Sequence, residues 1–343
     1  MWKGCSPPRA SGPGRAAWSA ECPDFGQIPV RVPFYSVRRR RILGVSRRRA
    51  FVQRPVPVEC HSIRRTPITR ADAIADAAPP RQPRAMGELR VDVEHADGRL
   101  RLDALRQSGA FKAFFPRRDP GEAVIVNTAG GITGGDRFRI RARAGQGARL
   151  ALTTQACERA YRAQPGETGR LTTHLEAEPD AWLGWLPQET ILYDRSALWR
   201  RLDVELAPGA RFLMVEPVIF GRTARGETLK QARFSDRVAI RRSGLPIYLD
   251  GVELAGDVAA TLSRPATGAG CAAMASLVYA APDASAHLAP IRARLTSGGG
   301  ASLLGPDLLV ARALGADGYD LRRDLLPILD RLTGGALPLQ WRT

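Results

Sequence analysis

The chain has 343 residues, with 51 Lys+Arg against 34 Asp+Glu and a formal net charge of +17. That length suits two or three domains or one large all-β domain, and the charge suggests a nucleic-acid partner until it is located: residues 1–85 carry 17 basic and 5 acidic side chains, leaving an ordinary +5 for the rest. Five cysteines without C-x-x-C and four scattered histidines (His61, His95, His174, His287) speak against a disulfide framework, a cysteine zinc site or a dense preformed transition-metal site.

The basic first quarter holds the runs 38–41 and 47–49 of arginine and a dozen prolines, and its large hydrophobics never settle into a period. Such a segment cannot bury enough apolar surface to offset its ordering entropy. It is expected to be a disordered extension, 1–85, with Met86 as a candidate true start. A basic arm for an anionic partner and an Arg-rich transit peptide are the alternatives. There is no apolar h-region of a secretory signal and no 18-residue apolar span for a membrane helix, and the paucity of cysteine points to a reducing compartment, here the cytoplasm.

From residue 87 the pattern changes. Residues 89–95 alternate, turn at Asp97-Gly98 and continue through 100–105, a hairpin signature. Residues 108–116 are expected to be a loop leading to a short apolar strand at 124–126. A corner follows with Gly130, Gly131, Gly134 and Gly135, ending on Asp136. Then Phe138, Ile140, Ala142 and Ala144 alternate with Arg137, Arg139, Arg141 and Arg143, the period of a half-buried strand. The glycines fit neither G-x-x-x-x-G-K-[ST] nor G-x-G-x-x-G, so they are expected to serve a backbone corner rather than a phosphate.

A unit of strand, tight turn and strand then recurs. Gly147-Ala148-Arg149-Leu150-Ala151-Leu152 is echoed by Asp180-Ala181-Trp182-Leu183-Gly184-Trp185 and by Gly209-Ala210-Arg211-Phe212-Leu213-Met214. Spacings of about thirty residues signal stacked layers, here β layers. Trp182 and Trp185 are expected to share one face of their strand, as core. Residues 234–240 and 246–251 read as a further strand pair, and 271–280 as a strand or a buried helix. Helices are expected at 284–295, capped by Pro282-Asp283, and at 321–332, ending at Gly334-Gly335, with Pro327 calling for a late start or a kink. The fold is therefore expected to be mainly β: a stacked, β-helix-like scaffold over 86–343 with a few helices toward the C-terminus.

Several of these segments together resemble one known family. G-G-I-T-G-G-D, then L-T-T-Q-A at 152–156 and Tyr161-Arg162, are similar to the UreD/UreH family of urease accessory proteins. So are Trp185-Leu186-Pro187-Gln188-Glu189-Thr190-Ile191, Glu216 with Gly221-Arg222 and Gly226-Glu227, and the closing Gln340-Trp341-Arg342-Thr343. The resemblance runs collinearly from 89 to 343 and does not cover the extension. It implies a non-enzymatic maturation factor of stacked β fold that docks on apo-urease. Its partners would be UreF and the GTPase UreG, with no nucleic acid or membrane, and an internal passage would carry nickel without binding it stably.

Four carboxylates stand out at turns or strand ends: Asp136, Glu189, Glu216 and Glu227. They suit a general acid and base pair, as in a β-solenoid carbohydrate-active hydrolase. They also suit transient oxygen contacts for a divalent ion, or plain ion pairs with Arg137, Arg159, Arg222 and Arg225. The resemblance favours the metal passage, with Thr153, Thr154, Gln155, Tyr161 and Gln188 as its further polar lining.

Overall fold

The computed structural model describes residues 82–116, 121–222, 225–295 and 298–342. The expected extension falls outside them up to residue 81. The chain enters through a hairpin, β1 (Met86–Ala96) and β2 (Arg99–Gly109), turning at Asp97 and Gly98, both at positive φ. A short strand, β3 (Phe111–Phe114), then pairs antiparallel with β4 (Glu122–Asn127). The expected loop at 108–116 is thus largely strand. Its alternation of buried Phe111 and Ala113 with exposed Lys112 and Phe114 has the period of a half-buried strand.

From β4 the chain winds back and forth between two sheets. The successive strands are β5 (Arg137–Ala144), β6 (Arg149–Thr154), β7 (Glu158–Ala160), β8 (Gly169–Ala177), β9 (Trp182–Leu186), β10 (Thr190–Leu192), β11 (Ala197–Leu206), β12 (Arg211–Phe220) and β13 (Ala232–Arg242). β5, β8, β11 and β13 are parallel neighbours in a seven-stranded sheet ordered β14-β13-β11-β8-β5-β1-β2, in which β14 (Leu245–Gly256) forms a hairpin with β13. β4, β6, β9 and β12 are parallel neighbours in a second sheet. That sheet continues antiparallel through β15 (Ala273–Ala280), β17 (Leu308–Gly315) and β16 (Gly300–Gly305). The stretch 271–280 is therefore a strand. The short strands β7 and β10 run parallel to each other and link back to β12.

The sequence repeat is this coil, position for position. Arg149, Trp182 and Arg211 lie side by side across β6, β9 and β12. The next rows are Leu150, Leu183 and Phe212, then Ala151, Gly184 and Leu213, then Leu152, Trp185 and Met214. Each winding contributes one strand to each sheet, so equivalent residues stack.

Burial follows from the layering. Leu89, Val91, Phe138, Ile140, Leu202 and Ile240 of the first sheet meet Leu150, Leu183, Trp185, Phe212 and Met214 of the second in one core. The far side of the second sheet, with Leu186, Leu213, Val215 and Leu277, is covered by α2 (Ala284–Arg294) and α3 (Gly318–Thr333) and by Trp341 in a 3-10 turn, Leu339–Arg342. A short helix, α1 (Val258–Ser263), follows β14. Strands of the second sheet are buried on both faces and read as apolar runs, whereas β5 alternates because its outer face is open. Trp182 and Trp185 are three residues apart, so they point to opposite faces of β9: Trp185 into the inter-sheet core, Trp182 toward the helical layer. α3 is longer than expected at its start. Asp317 caps it by accepting from the Asp320 amide, Gly334 closes it at φ 64°, and Pro327 is held inside an unbroken helix. It therefore begins well before the proline.

Candidate functional site

Following the stacked rows toward the ends of β6, β9 and β12, the inward position after Leu152, Trp185 and Met214 is taken by Thr154, Pro187 and Glu216. On the facing sheet, Phe138, Leu171, Arg200 and Asp236 form one row across β5, β8, β11 and β13. Apolar rows thus give way to mixed ones that carry polar side chains on both sides, and a cavity of about 250 Å³ opens between the sheets. Asn127, Gln155, Cys157, Glu158, Arg159, Gln188 and Thr190 complete its polar wall.

Its inner end is ionic. Arg200 is buried and donates through Nε and Nη2 to both Asp236 oxygens, at 2.9 and 2.5 Å, and through Nη1 to Thr190 Oγ1 at 3.3 Å. Glu216 accepts from Trp185 Nε1 at 2.9 Å through Oε1. Its Oε2 lies 3.2 Å from Arg200 Nη2 but outside hydrogen-bond geometry. One guanidinium therefore faces two buried carboxylates. Burial pulls the Arg200 pKa down, yet Asp236 and Glu216 outweigh it and hold the guanidinium charged. Burial pushes Glu216 up to about 7, against the opposing pull of Arg200, and Asp236 adds to the rise.

From the helical layer, Arg322 of α3 bonds the wall residue Gln188 and its neighbour Glu189. Its guanidinium donates to Glu189 Oε1 at 2.8 Å and to Gln188 Oε1 at 3.1 Å, as well as to the carbonyls of Gln340 and Trp341, both at 3.0 Å. The other Glu189 oxygen accepts from the Cys157 thiol, sulfur to oxygen 3.2 Å. Burial, reinforced by the Glu189 charge, pushes that thiol up to about 12. Gln188 Nε2 is buried with no hydrogen-bond partner among the described residues. Glu158 is also raised by burial, with Asn127 Nδ2 donating to it at 3.1 Å in opposition.

The residues singled out in the sequence divide accordingly. Thr154, Gln155, Gln188 and Glu216 line the cavity, and Glu189 adjoins it through Cys157 and Gln188. Thr154 also receives the Gln188 amide at 2.9 Å. Thr153 is buried on the opposite face of β6, as period two requires. Asp136 lies at the glycine corner, where it accepts from the amides of Ala85 and Thr133, each at 2.8 Å. Glu227 is paired with Arg222 at 2.8 Å, which lowers its pKa. Arg222 in turn lies over Tyr193, whose ring meets the edge of Tyr161. Tyr161 belongs to this surface group, and its OH donates to the Gly130 carbonyl at 3.2 Å. The corner needs its glycines: Gly135 sits at φ 85°, and a Cβ on Gly131 would lie 2.3 Å from the Tyr161 ring.

Sequence reasoning missed Arg200, Asp236, Arg322, Cys157 and Glu158. An arginine at an inward strand position was a legible signal for Arg200, since a charge there demands buried partners. Cys157 and Glu158 directly follow the L-T-T-Q-A run. Arg322 carried no local signal at all. Among the described residues no three His, Cys, Asp or Glu side chains gather as a metal cluster, and no helix is long and apolar enough to cross a membrane.

Comparison with known proteins places this arrangement. A family model described as UreD urease accessory protein matches residues 85–341. The chain is 54% identical over 267 residues to a urease accessory protein UreD of Roseobacter denitrificans, covering 78% of this chain and 98% of the relative. To the Rhizobium etli protein of that name it is 45% identical over 272 residues, again 78% and 98%. A Brucella suis relative, also so named, is 44% identical over 264 residues, 75% of this chain and 94% of its own length.

Proposed function

Because the chain belongs to the UreD family of urease accessory proteins, we propose that it is a non-catalytic cytoplasmic scaffold. In this role it docks on apo-urease with UreF and the GTPase UreG and passes nickel toward the urease active site through the space between its two sheets. The observation that carries this is the cavity itself: the coil stacks Thr154 and Glu216 beside Gln155, Gln188, Cys157 and Glu158, so that oxygen and amide groups and one thiol share the lining with the guanidinium groups of Arg159 and Arg200. Neutral oxygen donors replace hydration water without holding the ion tightly. A conduit needs such weak, repeated contacts, because a cage of thiolates and imidazoles would retain the metal.

Charge decides how an ion passes. With Arg200 and Asp236 paired, an ionised Glu216 adds a net negative charge in a buried place, so it takes up a proton near neutrality. An arriving dication stabilises the carboxylate and displaces that proton. The Cys157 thiol, pushed up to about 12, stays protonated and offers sulfur only weakly.

The test is co-expression with urease and its accessory set. Glu216→Gln and Glu189→Gln are expected to lower the nickel content of the purified urease at least severalfold while the complex still co-purifies. Urease that fills normally with nickel without this chain would end the proposal, and equal loss of assembly would make both residues structural.

A further inference from the structure

The open face of the first sheet carries a second, larger hollow, of about 530 Å³, which shares only Ile140 with the lining of the cavity between the sheets. It follows from register. Arg90 on β1 lies beside Arg106 on β2 and beside Arg141 on β5, so three guanidinium groups stand in one row on adjacent strands. Like charges directly opposite each other across a ladder are destabilising. Arg106 is relieved diagonally by Glu88 at 3.8 Å, and Arg90 along its own strand by Asp92 at 2.6 Å. Arg141 has no carboxylate within ion-pair distance among the described residues, and Arg139 has only Glu88 at 3.9 Å. The acidic groups of the hollow are already engaged. Asp203 holds Arg201 at 2.6 Å, Glu176 holds His174 at 2.8 Å, and Asp92 is shared with Arg143 at 3.9 Å. The charge left over is positive and lies along β5, where Arg137, Arg139 and Arg141 are all exposed.

We propose that this face is a docking site for an extended acidic protein segment lying along β5. Successive outward arginines on one strand stand roughly 6.7 Å apart, two residues of rise. That is also the spacing of same-side carboxylates in an extended segment with an acid at every second position. Arginine offers a planar fork that takes a carboxylate through two bonds. Asp92, Glu176 and Asp203 give the same hollow a mixed lining, which a protein segment can meet with neutral side chains and a continuous phosphate backbone cannot. This proposal is independent of nickel passage and stands or falls separately from it.

The test uses the full chain and a fluorescent peptide of alternating Glu and Thr. Its controls are a peptide of the same composition in Glu-Glu-Thr-Thr order and a single-stranded oligodeoxynucleotide of matched charge. The alternating peptide is expected to bind at least tenfold more tightly than the reordered one, and its affinity is expected to fall steeply from about 50 to about 300 mM salt. The double substitution Arg139→Glu with Arg141→Glu should abolish that preference, and Arg139→Gln with Arg141→Gln should reduce it, with melting curves confirming that both variants fold. The rest of the chain is common to all variants, so differences between them isolate this face. Equal binding of the two peptides, no loss in the substituted chains, or a preference for the oligonucleotide that these substitutions remove would each overturn the proposal.

Discussion

At Glu216 burial and charge act against each other, and the outcome can be measured without nickel. The native carboxyl holds its proton up to about 7, against an ordinary value of 4.5. Between those pH values the folded chain binds more protons at this site than the unfolded chain does. Stability contributed by this group therefore falls as pH rises through that window, and levels off above it. Glu216→Gln removes the group, so the difference between wild type and variant in urea-unfolding free energy should shift toward the variant from pH 5 to pH 7. A constant difference would show that Glu216 does not titrate there. Cys157 offers a second reading of the same wall. Its thiol, raised by burial and then by Glu189, is expected to react with iodoacetamide at pH 8 more than tenfold more slowly than a free thiol. Glu189→Gln should quicken it; unchanged rates would mean that access alone sets the reaction.

Among the elements, α3 shows how a local signal acquires a distant task. Its apolar stripe of Leu321, Leu325, Ile328, Leu329 and Leu332 packs on the second sheet, as its period requires. The same packing carries Arg322 to Glu189, Gln188 and the carbonyls of the terminal 3-10 turn, while the Trp341 indole donates to the Leu186 carbonyl at 2.9 Å. Arg322→Gln leaves a buried carboxylate short of its partner and is expected to cost about 1–3 kcal/mol. It should also expose the last residues to carboxypeptidase, followed by mass spectrometry. An unaltered melting temperature with an intact terminus would remove the strapping role from Arg322.

For the whole molecule, the coil has a kinetic consequence. Its central strands are parallel neighbours from successive windings, and the pairs that make the core are far apart in sequence. Loop-closure entropy must be met before such pairings return free energy, so refolding from urea is expected to take seconds or longer rather than microseconds. Stopped-flow tryptophan fluorescence would test this, since Trp185 and Trp341 are buried in the two separate cores; complete refolding within milliseconds would contradict it. The layering also divides the work. The inner faces of the two sheets form the cavity, the helices cover the far side of the second sheet, and the outer face of the first sheet presents the exposed arginines of β5.

What the amino-acid order determined by itself was local and periodic. The thirty-residue unit, the arginine-and-apolar alternation of β5, the Asp97-Gly98 hairpin, the glycine corner and the leucine stripe of α3 all follow from the preferences of neighbouring residues, and stacking similar units set the register of β6, β9 and β12. What only the tertiary structure decided was which polar side chains share a space. Asp136 and Glu227, legible as notable carboxylates, are occupied by backbone amides and by Arg222 close at hand. Arg200, which lines the cavity, and Arg322, which bonds its wall residue Gln188, carried little or no local signal, because the sheets and α3 bring together residues 36 to 134 positions apart. Periodicity tells which face a residue takes on its own strand; what lies across from that face depends on how the windings and the helix pack, and no neighbouring residue records it.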